Sequence, residues 1–386
     1  MNNFRYLIIG GGMTADAAAR AIRESDADGS IGIISADPHP PYNRPPLSKG
    51  LWKGDDPEKT LWRGTDKINV DLALGRRVTA INPKQKTVTD DRGNAITYEK
   101  LLLATGGTPR RLPIQTGQII YYRTFDDYTR LRALADQKLR FAVLGGGFIG
   151  SEVAAALRIV GRDVTMIVPE EGIGARVFPA DLAKFLVDYY REQGVDVRTG
   201  EGLADLQQSA GTVNVRTTHG KDIPVDVVVA GLGIQPNVEL AEQAGLRVEN
   251  GVVVDELLRT SAADIFAAGD VANFFNPALG VRMRVEHEDN ANTMGAAAGR
   301  SMAGQGTPYT HLPFFYSDLF ALGYEAVGEL DPRLETESTW KQQFREGVVY
   351  YLKDGKVRGV LLWNTWGQVD NARAIIGTSE RLKALE

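Results

Sequence analysis

Two stretches of the chain carry apolar residues straight into a glycine cluster and then into small residues: Leu7-Ile-Ile-Gly-Gly-Gly-Met-Thr-Ala15 and Phe141-Ala-Val-Leu-Gly-Gly-Gly-Phe-Ile-Gly150. Each predicts a buried strand, a tight turn and a helix; after Met13, alanines at 15, 17, 18, 19 and 21 keep that helix thin enough to lie close on a sheet. Further apolar runs predict strands at Ile31–Ser35, 100–109, Ile119–Arg123, Val164–Val168, 226–236 and from Ile265, with helical patterns across 125–137 and 181–193. Residues 76–98 read as short strands broken by the turn cluster Asp91-Arg-Gly-Asn94. From about 306 the pattern changes to aromatic runs, a strand pair around Asp354-Gly355 and a last helix after Asn371. The alternation of strands and helices predicts an α/β fold with two Rossmann-like dinucleotide-binding domains plus a C-terminal α+β domain.

Composition narrows the chemistry. With 386 residues the chain has room for two or three domains, and 43% hydrophobic with 24% charged residues is ordinary for a globular protein. A net charge of −5 predicts no general attraction to nucleic acid. No apolar run is long enough to span a membrane and the first strand begins at Phe4, so cytoplasmic residence is expected. The chain has no cysteine and four histidines. Redox-active thiols and thiolate metal sites are therefore excluded, no metal is expected, and any redox chemistry must belong to a bound cofactor.

Gly145, Gly147 and Gly150 fit G-x-G-x-x-G, the spacing that lets backbone approach a pyrophosphate; Gly10, Gly12 and Ala15 make the same statement with alanine in the third slot. Two dinucleotide sites in one chain predict electron transfer between two cofactors. Asp37 and Glu170 each stand where such a unit places a ribose-binding acid, the alternative for Asp37 being a simple turn residue before Pro38. A carboxylate at 170 predicts preference for NADH over NADPH, with Arg176 nearby as a competing charge. The segment Pro40–Gly50 holds four prolines with Arg44 and Lys49, either a rigid surface connector or a clamp for a diphosphate and a reactive ring. Ala104-Thr-Gly106, Asp270 and His287 stand at strand or helix ends, where nucleotide contact competes with simple turn or cap roles.

Arg44-Pro-Pro-Leu-Ser-Lys49, Ile96-Thr-Tyr-Glu-Lys100, Ala104-Thr-Gly-Gly-Thr-Pro-Arg110, Gly145-Gly-Gly-Phe-Ile-Gly-Ser-Glu152, Gln235-Pro-Asn-Val-Glu-Leu240 and Gly355-Lys-Val-Arg-Gly-Val-Leu-Leu-Trp-Asn364 carry a resemblance across nearly the whole chain. It resembles the pyridine nucleotide-disulfide oxidoreductase-like flavoproteins of the ferredoxin-reductase type, and within them the apoptosis-inducing-factor branch. The resemblance implies an FAD-binding domain from 1–112 and 236–305, an NAD-binding domain from 113–235 and a C-terminal domain from 306–386. It implies FAD at Gly10, Gly12, Ala15, Asp37, Arg44, Lys49, Val78, Ala104, Thr105, Gly106, Arg123, Asp270, His287 and Tyr316. It implies NAD(H) at Gly145, Gly147, Phe148, Ile149, Gly150, Glu152, Glu170 and Gly233. Lys49 resembles the partner of Glu152 near the flavin N5 edge, Phe148 an aromatic gate over the ring, and His287 a neighbour of its other end.

The chain departs from the pattern in reading Ala36-Asp37 where Glu-Asp is usual and Glu286-His287-Glu288 where the oxygenase-coupled reductases have Glu-His-Trp. It also lacks the acidic insertion of the animal proteins, so a compact bacterial-type relative is expected. The leading expectation is an FAD-dependent NADH oxidoreductase that passes hydride to FAD and then electrons to an acceptor such as a ferredoxin-like carrier, a quinone or oxygen. Arg110, Arg111, Arg282 and Arg284 are candidate contacts for an acidic carrier. The alternative is a redox-gated interaction protein that holds a stable complex of reduced flavin and NAD, with a homodimer responsive to NADH as its output.

Overall fold

The computed structural model describes residues 3–113, 119–209 and 211–382. The chain forms two compact units, one built from residues up to Asn43, Pro57–Thr108 and Gln235–Phe314, the other from Arg44–Asp56, Pro109–Ile234 and Phe315 onward.

In the first unit, strands Asp71–Ala73, Ile31–Ile34, Asn3–Ile9 and Ala95–Leu103 lie side by side and parallel. The strand 95–103 changes neighbour on its other side. Its first half pairs antiparallel with Thr87–Asp90, and its second half pairs parallel with Ile265–Ala267. Burial follows this switch, alternating from Ala95 to Glu99 and unbroken from Leu101 to Leu103, because an antiparallel stretch is covered on one face and a parallel one on both. Helix Met13–Ser25 packs against helix Glu288–Met302, and only small residues permit the approach. A Cβ on Gly295 would stand 2.5 Å from the Thr14 carbonyl oxygen, and one on Gly299 would stand 2.3 Å from that of Ala18.

The second unit has a fully parallel sheet in the order Asp196–Thr199, Asp163–Val168, Arg140–Leu144, Val227–Ala230, Ile119–Tyr121. Helix Phe125–Asp136 starts at a capping box, with Thr124 and Asp127 satisfying each other's backbone N–H. A three-stranded antiparallel sheet, 203–209, 212–217 and 222–225, contributes Val213, Val215 and Val225 to one core with Ile119, Ala142 and Val228.

Three expectations change. Pro40–Gly50 is not a plain loop: Pro45–Ser48 and Gly50–Trp52 are 3-10 turns, favoured by two prolines at the start of the first. Leu47 is held there because its carbonyl accepts from Trp52 Nε1 at 2.8 Å and from the buried Tyr122 hydroxyl. The C-terminal region is more than a strand pair, forming a five-stranded antiparallel sheet in the order 314–319, 322–328, 356–363, 346–353, 335–342. Its last helix begins at Val369, ahead of Asn371.

Candidate functional site

The two glycine turns divide their labour in the same way. Gly10 has φ +113° and a Cβ there would meet the Ala104 carbonyl oxygen at 2.1 Å, so strand 95–103 ends hard against this turn. Gly12 has nothing within 4 Å of its Cβ position and caps helix 13–25 with no side-chain hydrogen bond, leaving N–H groups directed at an open face. In the second unit Gly145 has φ +100°, Gly147 is the open helix cap, and a Cβ on Gly150 would stand 2.1 Å from the Gly145 carbonyl oxygen. Two long helices thus present bare N-termini behind open glycines, the arrangement that a pyrophosphate requires. The residues fit a dinucleotide at each turn.

In the first unit Ala104, Thr105 and Gly106 are fixed beside Gly10 by Asn237. Thr105 Oγ1 donates to the Asn237 carbonyl, and Asn237 returns its side-chain Nδ2 to Thr105 O and its backbone N–H to Gly106 O. Gly269, one residue before Asp270, packs on Thr14 at the start of helix 13–25. Asp37 is engaged by its own turn, accepting from the His39 backbone and the Tyr42 hydroxyl at 3.0 Å each. His287 stands at the N-cap position of helix 288–302 without a side-chain capping bond, and the acids of that first turn, Glu288 and Asp289, lie inside the helix rather than before it. Val78 is a core side chain of the sheet.

In the second unit the Arg44 guanidinium donates to the Arg123 carbonyl at 3.1 Å, which brings those two residues together. Gly233 has φ +78°, and its carbonyl accepts from Arg110; Ile149 is exposed next to Phe148. Glu170 carries Arg176 on its carboxylate.

The densest chemistry surrounds Glu152, a carboxylate 3% exposed on helix 148–159. Lys49 Nζ lies 2.7 Å from its Oε1, Ser317 Oγ donates to the same oxygen at 2.6 Å, and Ser48 Oγ donates to Oε2 at 2.5 Å. The Lys49 ammonium also sits over the Tyr316 ring, 5.1 Å from its centroid. Burial, reinforced by the Glu152 charge, pushes the phenols of Tyr190 and Tyr324 well above their ordinary range. Phe148 meets Phe315 edge to face, with ring centroids 5.3 Å apart. The family resemblance pointed to Lys49, Glu152 and Phe148 but missed Ser48, Ser317 and Phe315. A serine before a lysine and a serine in a strand carry no local signal of their own.

The model of the family described as pyridine nucleotide-disulphide oxidoreductase matches residues 4–295, a span that contains both glycine turns and the Glu152 helix. The chain belongs to this family. A second family model, the C-terminal domain of mitochondrion-associated apoptosis-inducing factor, matches residues 298–343 and 335–378 of this oxidoreductase. The oxidoreductase is 36% identical to apoptosis-inducing factor 1 of Dictyostelium discoideum over 97% of this chain and 79% of the relative. It is 39% identical to the ferredoxin–NAD(+) reductase component of the anthranilate 1,2-dioxygenase system of Burkholderia cepacia over 84% of this chain and 81% of the relative. Among solved structures it is similar to the covalent putidaredoxin reductase–putidaredoxin complex, with a TM-score of 0.90, 31% identity and coverage of 97% of this chain and 93% of that one. The oxidoreductase is an FAD-dependent enzyme that uses NAD(H). Among the described residues no helix is long and apolar enough to cross a membrane, and no cluster of side chains could hold a metal ion.

Proposed function

We propose that this chain is an NADH-dependent reductase of a ferredoxin-like one-electron carrier. FAD bound at Gly10, Gly12 and Ala15 supplies the ring that takes hydride from NADH and returns the electrons singly. The observation that carries the reading is the buried Lys49–Glu152 pair, with Nζ and Oε1 2.7 Å apart. A buried ion pair costs several kcal/mol of desolvation, of the order of 5, so a chain that keeps one commonly uses it. Lys49 would be the cation for the electron-rich edge of a reduced ring, held in place by Glu152, and Phe148 would be the side chain that covers such a ring before a nicotinamide binds.

The remaining candidates take matching roles. Asp37, Ala104, Thr105, Gly106, Val78, Asp270 and His287 are assigned to FAD from the first unit. Arg44, Arg123 and Tyr316 are likewise assigned to FAD. Gly145, Gly147, Ile149, Gly150, Glu170 and Gly233 are assigned to NADH. The three-domain division at 112, 235 and 305 goes with this assignment, as does cytoplasmic residence.

The carrier is inferred from the relatives whose names specify ferredoxin–NAD(+) reductase or putidaredoxin reductase. Anaerobic titration with NADH, followed by a ferredoxin in one arm and air in the other, tests it. Rapid reoxidation by the carrier at unchanged molecular mass is the expected result. A long-wavelength absorption band that outlasts air, accompanied by a doubled mass, would replace it with an NADH-responsive homodimer of the redox-gated type.

A further inference from the structure

Strand Phe314–Leu319 touches the Glu152 region at four successive residues, all within the second unit. Phe315 meets Phe148, Tyr316 lies under Lys49, Ser317 donates to Glu152, and Asp318 pairs with Lys53 at 3.3 Å. Ser317 is wholly buried, beside the buried Tyr324 phenol. From the opposite side Ser48, 6% exposed, occupies the other Glu152 oxygen. A carboxylate on a flexible side chain has about four acceptor sites and several rotamers. Here two hydroxyls from separate segments take both oxygens, and the lysine reaches only one of them.

We propose that Ser317 and Ser48 are positioning residues, whose hydroxyls hold the Glu152 carboxylate in the one orientation that anchors the Lys49 ammonium. They touch neither cofactor in this account and act through Glu152. Without one of them the carboxylate keeps its burial but loses a donor, which frees it to rotate away from Lys49. The groups that face Glu152 are Lys49, with Tyr316 across it, and the phenols of Tyr122, Tyr190 and Tyr324. The three phenols are all raised in pKa, so none of them titrates in the acid range.

The inference rests on the reading of Lys49 given above, and the experiment separates the two. In the holoenzyme, Ser317→Ala, Ser48→Ala and Lys49→Ala are compared for the pH profile of flavin reduction by NADH and for the flavin midpoint potential. Each serine variant is expected to slow reduction about fivefold to tenfold at pH 7 and to shift the potential in the same direction as Lys49→Ala. Ser317→Thr, which keeps a hydroxyl, should recover most of the parent profile. Should Ser317→Ala not fold, Ser317→Cys leaves a weaker donor in the same space and is read in the same way. Profiles and potentials identical to the parent in the serine variants, alongside a shifted Lys49→Ala, overturn the positioning role alone. An unshifted Lys49→Ala overturns the reading of Lys49 and this proposal with it.

Discussion

Arg176 closes over Glu170, its Nε and a terminal nitrogen lying 2.7 and 2.6 Å from the same carboxylate oxygen. The arginine is 84% exposed and the glutamate 25%, so the charge of the cation is screened by water. A carboxylate here favours a free ribose 2′-hydroxyl, whereas a released guanidinium would welcome a 2′-phosphate. Glu170→Ala should therefore reduce the ratio of kcat/KM for NADH over NADPH about tenfold or more, and Arg176→Ala should raise it by a smaller factor. Steady-state kinetics with both nucleotides check this, and an unchanged ratio in Glu170→Ala would remove the residue from the ribose site.

Four of the five motif glycines should fall into two classes on substitution. An alanine at Gly10 or Gly150 would place its Cβ 2.1 Å from a carbonyl oxygen, and Gly10 adds a φ of +113° that an L-residue rarely adopts. Overpacking plus backbone strain costs on the order of 3 kcal/mol, so both variants should melt well below the parent. Gly12 and Gly147 have open Cβ positions, so alanine there adds no clash within the protein itself. The methyl would instead stand where backbone must approach a pyrophosphate. Gly12→Ala should lose flavin on purification, and Gly147→Ala should keep flavin but bind NADH weakly, as absorbance and NADH titration would report.

Asp16 predicts an acid limit on stability. Its side chain is fully buried, and burial alone would raise its pKa. Hydrogen bonds from Arg20 and Thr65 and the charge of Arg63, whose Nε lies 2.7 Å away, outweigh burial and leave the pKa below its ordinary value of 3.8. A depressed folded-state pKa gives stability that is complete above the unfolded value and is lost as pH falls through the folded one. Asp16→Asn should cost about 3 kcal/mol at neutral pH, because it leaves the partly buried Arg63 without its counter-charge. It should also flatten the loss of stability below about pH 4 that the parent shows in denaturant titrations.

The architecture was readable because its signals are local and strong. Unbroken apolar runs ending in glycine predicted the central strands of both parallel sheets, and the spacing of Gly145, Gly147 and Gly150 predicted a turn whose parts the structure distinguishes one by one. The antiparallel C-terminal sheet was half hidden, since Glu335–Gln342 is an exposed edge strand of mostly polar residues with no apolar alternation to announce it. Pro45–Ser48 looked like a loop because proline marks both a connector and the first turn of a helix. At the Glu152 cluster, the lysine and glutamate were legible through family resemblance. The two serines were not, because their role comes from being brought together across 104 and 165 residues of chain.

The contact between Phe148 and Phe315 sets the last prediction. Their rings meet at 71° with centroids 5.3 Å apart, an edge-to-face pair of the kind that contributes about 0.5–1.5 kcal/mol beyond burial. If Phe148 must swing away from the flavin for the nicotinamide to bind, this contact is part of the cost of opening. Phe315→Ala should then lower the KM for NADH about threefold to tenfold, and Phe148→Ala should lower it further. Because both act through one movement, the double variant should bind NADH no better than Phe148→Ala alone. Effects that simply add in the double-mutant cycle would mean that Phe315 acts elsewhere, and a raised KM in Phe148→Ala would make that ring a platform for the nicotinamide instead of a gate.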